Sequence, residues 1–366
     1  MKHRILIAAA GTGGHVFPAL AVAKRLQLQG WQVDWLGTRE GRLESRVIPA
    51  ANIALHSINM TGVRGHGVAR LVEAPLLLLA AVRECRRLLQ QLQPDVVLTF
   101  GGYVCAPMGI ASKLAGIPLL VHEQNAVPGL TTRLLAPLAK QVMLGLPLTK
   151  RNIKKGRLTG NPLRAEIEQL AQQTAAAEQG QQTLRLLVVG GSLGARVLNE
   201  TLPAALQQVK PTLRVMHQCG QNNSAALQQA YQQVPQHQVT VSDFIDDMAA
   251  AYQQADLVIC RAGALTVAEL AALGKPAIFV PLPHAVDDHQ TENAKTLVAA
   301  GAAKLLPQTE LTATRLAKLL QSLLQQPEQL WTMARFARQQ ACPQATASVA
   351  QMCLDATQSK AAEQVN

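Results

Sequence analysis

The sequence predicts an α/β protein of two doubly wound, Rossmann-like domains facing a cleft. Three observations point there. Apolar, β-rich runs alternate with helix-like segments, the order of a parallel sheet with crossover helices. Two of these runs, 5–10 and 184–189, each climb into a glycine-rich turn and then a helix. The two halves also echo each other. Asp95 and the strand-like 96–100 lead to Gly101-Gly102, a small-residue helix and Pro118; Asp256 and 257–260 lead to Arg261-Ala262-Gly263, a small-residue helix and Pro276.

Bulk properties narrow the class. At 366 residues the chain is long enough for two cores, and 48% apolar with 16% charged residues is a globular composition. Aromatic residues make up 3%, too few for a base-stacking platform, so no nucleic-acid partner is expected. Six cysteines are scattered without a paired spacing, which favours buried thiols in a reducing compartment over zinc or disulfides. Charge is divided unequally. Residues 1–160 hold 20 Lys+Arg and 7 Asp+Glu (+13), and the remainder 14 and 16 (−2). One half therefore faces something anionic, a charge pattern found in proteins that meet a membrane surface, a nucleic acid or a phosphorylated substrate. No apolar run approaches the roughly 20 residues of a membrane span. The basic start and 5–10 imitate a signal peptide, but the run enters a glycine turn and reads as the first strand.

Taken in order, 5–10 is the first strand and a helix starts at about Phe17. Residues 32–36 form the second strand. The segment 71–82 is apolar and ringed by Arg64, Arg70, Arg83, Arg86 and Arg87. It is either a core helix with a solvated face or a monotopic patch. In the latter, Leu76, Leu77, Leu78 and Leu79 insert and the arginines hold anionic headgroups. Strands follow over 96–100 and 117–121, separated by a helix over 107–115. Gly160 and Pro162 break the chain where the charge balance changes sign, placing a first domain at 1–160 and a second at 161–340. The Gln/Ala-rich 169–182 is a surface helix or a mobile loop. Another strand, 277–280, follows Pro276. A helical stretch over 331–340 precedes Pro343. A last helix over about 341–356 packs back on the first domain, with fraying after Asp355.

Chemistry concentrates at the turns. Gly11-Thr12-Gly13-Gly14-His15 lets backbone approach a phosphate or sugar. A ligand-free tight turn would not need Thr12 or the titratable His15. Val16 stands where a dinucleotide fingerprint wants glycine, and the second strand ends Gly37-Thr38 with Asp34 inside it, so NAD fits poorly. In Gly190-Gly191-Ser192-Leu193-Gly194, Ser192 faces an anion at a helix N-terminus or simply caps that helix. Thr266 and Glu269 either form a capping box or belong to a site where backbone meets a diphosphate and Glu269, in the first helical turn, accepts from ribose hydroxyls. His122-Glu123-Gln124-Asn125 lies just past a strand, where open α/β sheets bind ligands, or is a plain polar loop. Asp246-Asp247 starts a helix. Asp287, Asp288 and His289 lack the organised ligand set of a metal site.

Together GTGGH, GGY at Gly101 to Tyr103, HEQN with Gly129, TGNPLR ending at Arg164, GGSLGA, RAGALTVAEL and DDHQTENA, in order from Arg4 to Ala303, resemble the MurG family. These are bacterial UDP-N-acetylglucosamine (UDP-GlcNAc) transferases of peptidoglycan synthesis. The resemblance implies a GT-B fold and an inverting transfer that uses no metal or other cofactor. N-acetylglucosamine passes to the 4-hydroxyl of the muramyl sugar of undecaprenyl-pyrophosphoryl-MurNAc-pentapeptide (lipid I), giving lipid II and UDP. The expected place is the cytoplasmic face of the inner membrane, as a peripheral protein beside other cell-wall synthesis proteins. By the same resemblance the Ile245 backbone reads uracil, and Ser192 and Arg164 meet the diphosphate. Ala264, Leu265 and Thr266, with Val267 and Ala268 behind them, offer N–H groups to the phosphates. Glu269 holds the ribose, and Gln290 and Asn293 the sugar. Thr12, Gly13, Gly14, His15 and Asn125 come from the acceptor half. His289 departs from relatives that carry glutamine beside Gln290.

An inverting displacement needs a base for the acceptor hydroxyl and support for a departing diphosphate. His15 is the first candidate base and Glu123 the alternative, with Tyr103 and Asn125 as positioning groups. Helix N-termini and Arg164 would supply the positive potential. The rival readings are a UDP-GlcNAc 2-epimerase of the same architecture and a membrane-bound nucleotide-sugar binder without turnover. The first leaves the arginine-ringed patch without use, and the second leaves His15, Glu123 and Asn125 without use.

Overall fold

A computed structural model of the chain describes residues 2–39, 41, 43–58, 67–173, 183–191 and 194–363. It divides into two units, Met1–Arg164 with Gln344–Asn366, and Ala165–Pro343. The first contains β1 (Arg4–Ala9), α1 (Gly13–Leu28), β2 (Gln32–Thr38), α2 (Glu44–Ala50), β3 (Ala54–Ile58), α3 (Gly67–Leu92), β4 (Val96–Gly101), α4 (Cys105–Leu114), β5 (Leu119–Glu123), α5 (Leu130–Leu135), β6 (Gln141–Leu144) and β7 (Gly156–Leu158). The second contains α6 (Ala165–Gln173), β8 (Arg185–Val189), α7 (Arg196–Leu206), β9 (Arg214–Gln218), α8 (Ser224–Tyr231), β10 (Gln238–Ser242), α9 (Met248–Gln254), β11 (Leu257–Cys260), α10 (Ala264–Leu273), β12 (Ala277–Phe279), α11 (His289–Ala299), β13 (Ala303–Leu305), α12 (Ala313–Gln325) and α13 (Pro327–Gln339). The chain then returns to the first unit as α14 (Ala345–Glu363).

Both sheets are parallel. The first has the order β3-β2-β1-β4-β5-β6-β7 and the second β10-β9-β8-β11-β12-β13. Central strands covered on both faces need apolar side chains at every position, and β1 shows why. Ile5, Ile7 and Ala9 pack with α1 residues such as Val22 and Leu26 and with Val349, Ala350 and Cys353 of α14. Leu6, Ala8 and Ala10 pack on the other face with Val82, Cys85 and Leu89 of α3 and Met108 of α4. The echo between the halves has a structural cause. Asp95 accepts from the Arg4 backbone N–H at 2.8 Å, and Asp256 from that of Arg185 at 2.8 Å. Each aspartate ties the start of one central strand to the start of its neighbour. Arg185 adds a side-chain fork to Asp256, at 2.7 and 3.1 Å.

Several elements differ from their sequence-based bounds. Helix α1 starts at Gly13 rather than Phe17, because the Thr12 carbonyl already accepts from the backbone N–H of His15 and Val16. Strand β5 is displaced to Leu119–Glu123. Pro118 has no N–H for the ladder, while His122 and Glu123 pair with Met143 and Leu144 of β6. Helix α4 starts two residues before Pro107, at Cys105. Helix α14 extends past Asp355 to Glu363, through residues rich in alanine. The boundary between units falls after Arg164 rather than Gly160, so Arg164 belongs to the first unit. Asp247 caps α9 as expected, accepting from Ala250 N–H at 2.9 Å. Five of the six cysteines are buried and Cys342 is partly so.

Candidate active site

In an open α/β sheet, ligands bind beyond the carboxyl ends of the strands where the winding order reverses. Here the reversal lies between β1 and β4 in one sheet and between β8 and β11 in the other. The glycine turns follow these four strands.

In the first unit Gly11, Gly101 and Gly102 have φ of +95°, +123° and +93°, a region that disfavours side chains. The two turns are also in close contact. A Cβ on Gly101 would lie 2.7 Å from His15 Cδ2, and one on Gly102 would lie 2.6 Å from the Ala10 carbonyl oxygen. That carbonyl is 3.2 Å from His15 Nδ1. A carbonyl only accepts, so the contact places the proton on Nδ1, and the neutral ring then carries its lone pair on Nε2. This is the tautomer a general base requires. Cys105 braces the same turn, its sulfur lying 3.2 Å from Ala8 O and 3.0 Å from Gly101 O, the two acceptors within reach of its single S–H. Glu44, which the sequence did not single out, is buried and accepts from Gly11 N–H at 3.0 Å. In α1, the N–H groups of Gly13 and Gly14 precede the first intrahelical bonds, which His15 and Val16 donate to Thr12 O. Tyr103, which follows Gly102 in the chain, is 49% exposed. The Arg164 guanidinium lies 5.9 Å from the centroid of the Phe17 ring on α1, so it sits with this turn.

The HEQN segment is mostly internal. His122 Nε2 donates to Gly160 O at 3.1 Å, and Nδ1 accepts from Gln124 at 3.1 Å. Burial pushes the His122 pKa down to about 4, so the ring is neutral. Asn161 donates to Gln124 O at 3.1 Å, completing a clamp between HEQN and TGNPLR. Glu123 is also buried. Its carboxylate accepts from the backbone N–H of Asn125 and Gly129, from Asn125 Nδ2, and from the Thr132 hydroxyl at 2.5 Å. These contacts occupy the carboxylate in shaping the loop and orient the Asn125 amide, which fits a positioning group better than a base.

In the second unit α10 starts after Gly263, and its first intrahelical bond runs from Val267 N–H to Gly263 O. The N–H groups of Ala264, Leu265 and Thr266 therefore point out of the helix start, whereas those of Val267 and Ala268 are spent inside it. Thr266 is the third helical residue and not the cap, which overturns the capping-box reading. Glu269 is in the second turn, buried, and accepts from Tyr252 Oη at 3.1 Å. Asn293 is fully buried and donates to Ala262 O at 3.1 Å, holding the turn from behind. Gln290 Oε1 accepts from Leu282 N–H at 2.9 Å, a contact that does not use its NH2. Three non-glycine residues nearby, His284, Asp287 and Asp288, have φ between 54° and 60°, strain concentrated in one loop. Arg261 is clamped to Val280 O and Pro281 O, at 3.0 Å each. Ile245 is buried in the chain between β10 and α9. The α7 cap is Ala195, and Ser192 lies outside the described residues.

The arginine-ringed segment differs in exposure from turn to turn. Ala81, Val82, Cys85 and Leu89 face the core, while Leu76, Leu77 and Leu79 are 48 to 70% exposed with Arg83, Arg86 and Arg87 also exposed. Leu78 is half-buried, and Arg64 lies outside the described residues. Among the described residues no helix is long and apolar enough to cross a membrane, and no three His, Cys, Asp or Glu side chains are grouped to hold a metal ion.

Two Rossmann-like units, each with a glycine turn at its switch point, are the architecture of a GT-B glycosyltransferase, and relatives narrow the class. The chain belongs to glycosyltransferase family 28: the N-terminal domain model of that family matches residues 5–144 and the C-terminal domain model residues 185–349. It is 58% identical to the UDP-N-acetylglucosamine–N-acetylmuramyl-(pentapeptide) pyrophosphoryl-undecaprenol N-acetylglucosamine transferase of Idiomarina loihiensis, over 98% of this chain and 99% of that one. The enzyme of the same name from Tolumonas auensis is 49% identical, over 96% and 99%. The crystal structure of Acinetobacter baumannii MurG superposes with a TM-score of 0.83 at 45% identity, over 97% of this chain and 100% of that one. A UDP-GlcNAc 2-epimerase from Neisseria meningitidis shares the fold alone, with a TM-score of 0.66 at 14% identity over 97% and 100%.

Proposed function

We propose that this chain transfers N-acetylglucosamine from UDP-GlcNAc to the 4-hydroxyl of the muramyl sugar of lipid I, forming lipid II and UDP. The observation that carries the chemistry is the His15 ring, fixed by the Ala10 carbonyl as an Nδ1–H tautomer at a switch point. The acceptor oxygen attacks the anomeric carbon as its proton passes to His15 Nε2. The bond from that carbon to the UDP oxygen breaks on the opposite face, with inversion. Charge gathering on the diphosphate is met by the N–H groups of Ala264, Leu265 and Thr266, by the Arg164 guanidinium and by Ser192.

Around that step, the Ile245 backbone takes the uracil and Glu269 the ribose, with the Tyr252 hydroxyl fixing its carboxylate. Gln290 donates to the sugar from its NH2, and buried Asn293 supports the turn. Gly13, Gly14 and Thr12 line the acceptor side, with Tyr103 and Asn125 as positioning groups. The +13 charge of residues 1–160 suits a lipid diphosphate at an anionic surface. The exposed leucines of α3, ringed by Arg83, Arg86 and Arg87, suit peripheral attachment to the inner membrane's cytoplasmic face.

Radiolabelled UDP-GlcNAc mixed with lipid I, in EDTA, should place label in the lipid phase. Release of label as a free or epimerised sugar without lipid I would instead mark an epimerase. Turnover lost in EDTA and restored by magnesium or manganese would require a metal in the step.

A further inference from the structure

Gln218 ends β9 and is 3% exposed, yet it faces two loops at once. Its Oε1 accepts from Gly190 N–H at 3.1 Å, and its Nε2 donates to Gly191 O and to Asp243 O, each at 3.0 Å. A primary amide has two N–H donors, so both are used, one on the glycine turn after β8 and one on the segment after β10. Neighbouring bonds tighten the same junction. Cys219 N–H donates to Ser242 O at 2.9 Å. The Asp243 carboxylate accepts from Asn222 N–H at 3.1 Å and Ser224 N–H at 3.2 Å. Those donors, the Asn222 N–H foremost, hold its pKa below the usual carboxylate range. Gly194 lies against the Cys219 carbonyl, leaving no room for a side chain there. The turn after β8 and the residue two before Ile245 are thus joined by one buried side chain.

We propose that Gln218 is a positioning residue of the nucleotide-sugar site, setting the spacing between the backbone that meets the diphosphate and the backbone that reads the base. This rests on the assignment of the second unit to UDP-GlcNAc. A base reader built from main-chain groups discriminates by register, because uracil and cytosine differ in which ring atoms donate and accept. A shift of the Asp243 segment therefore changes discrimination as well as affinity.

The test is calorimetric titration of the full chain with UDP and with CDP, for wild type, Gln218→Met and Gln218→Glu. Methionine keeps the volume and removes all three bonds. Glutamate keeps an acceptor for Gly190 N–H but turns a carboxylate oxygen towards two carbonyls. Both variants should weaken UDP about 10- to 100-fold and collapse the UDP to CDP affinity ratio. In lipid I assays KM for the donor should rise accordingly, with kcat and acceptor KM nearly unchanged. A folded Gln218→Met with wild-type UDP affinity overturns the proposal, as does an equal loss for UDP and CDP, which is what general loosening gives. Wild-type protein that fails to bind UDP overturns the site assignment itself, and the proposal with it.

Discussion

His15 and Glu123 are both titratable side chains of the first unit, and their surroundings separate their roles. The His15 Nδ1–H is committed to a carbonyl, so removing the ring removes the proton acceptor while the second unit stays intact. His15→Ala should lower kcat by about 10²–10⁴ and leave UDP affinity unchanged by calorimetry; turnover at the wild-type level places the base elsewhere. Glu123 is different, since its carboxylate gathers donors from Asn125, Gly129 and Thr132. Glu123→Gln turns an NH2 towards at least one of those donors. It should cost about 1–3 kcal/mol of stability in urea unfolding, together with a loss of turnover. An unchanged unfolding midpoint with turnover abolished would return Glu123 to the role of base.

At the scale of elements, α3 divides its length between two environments. Its later turns pack through Val82, Cys85 and Leu89 into the core, so the helix is anchored whatever happens at its exposed leucines. Arg83, Arg86 and Arg87 lie about two to three turns beyond Leu76 and are exposed. Each basic side chain near an anionic surface contributes about 1 kcal/mol, and inserted leucines add burial that salt does not screen. Sedimentation with phosphatidylglycerol vesicles should therefore show binding that partly survives high salt. Replacing the three arginines by serine should weaken that binding and lipid I turnover while sparing UDP binding. Equal sedimentation of wild type and variant would reduce this helix to a packing element.

For the whole molecule, acid sensitivity follows from the buried imidazoles of His122 in the first unit and His217 in the second. Burial pushes both His122 and His217 down to about 4 from an ordinary 6.5. Between those values the unfolded chain binds protons that the folded chain refuses. Stability is thus fully present above about pH 6.5 and is lost as pH falls towards 4. Each ring contributes a loss on the order of 3 kcal/mol at the low end. Urea midpoints at pH 7 and 4.5 should differ, and His217→Gln should flatten the difference. The Tyr231 hydroxyl lies 2.7 Å from His217 Nδ1 and gives glutamine a partner in that pocket. A slope identical to wild type in that variant would mean that other groups carry the acid response.

The fold class was legible in the sequence because parallel strands buried on both faces must be apolar throughout, as 5–10 and 184–189 are. Glycine can be recognised wherever a turn needs positive φ, so the turns at Gly11, Gly101 and Gly191 were legible too. Residue types named His15 and Glu269 as site candidates. What sequence could not supply was partnership across distance. The donors that Glu123 gathers from Gly129 and Thr132, which favour a positioning role over a base, are not visible in the sequence. Thr266 looked like a cap until the helix began at Ala264. Glu44, Gln218 and Tyr252 carried no local signal, since each matters through a hydrogen bond to a chain segment 17 to 33 residues away. Local patterns of burial and turn chemistry are written along the chain. Which lone pair is filled and which tautomer is imposed is decided only when distant backbone carbonyls and N–H groups are brought together by the sheets.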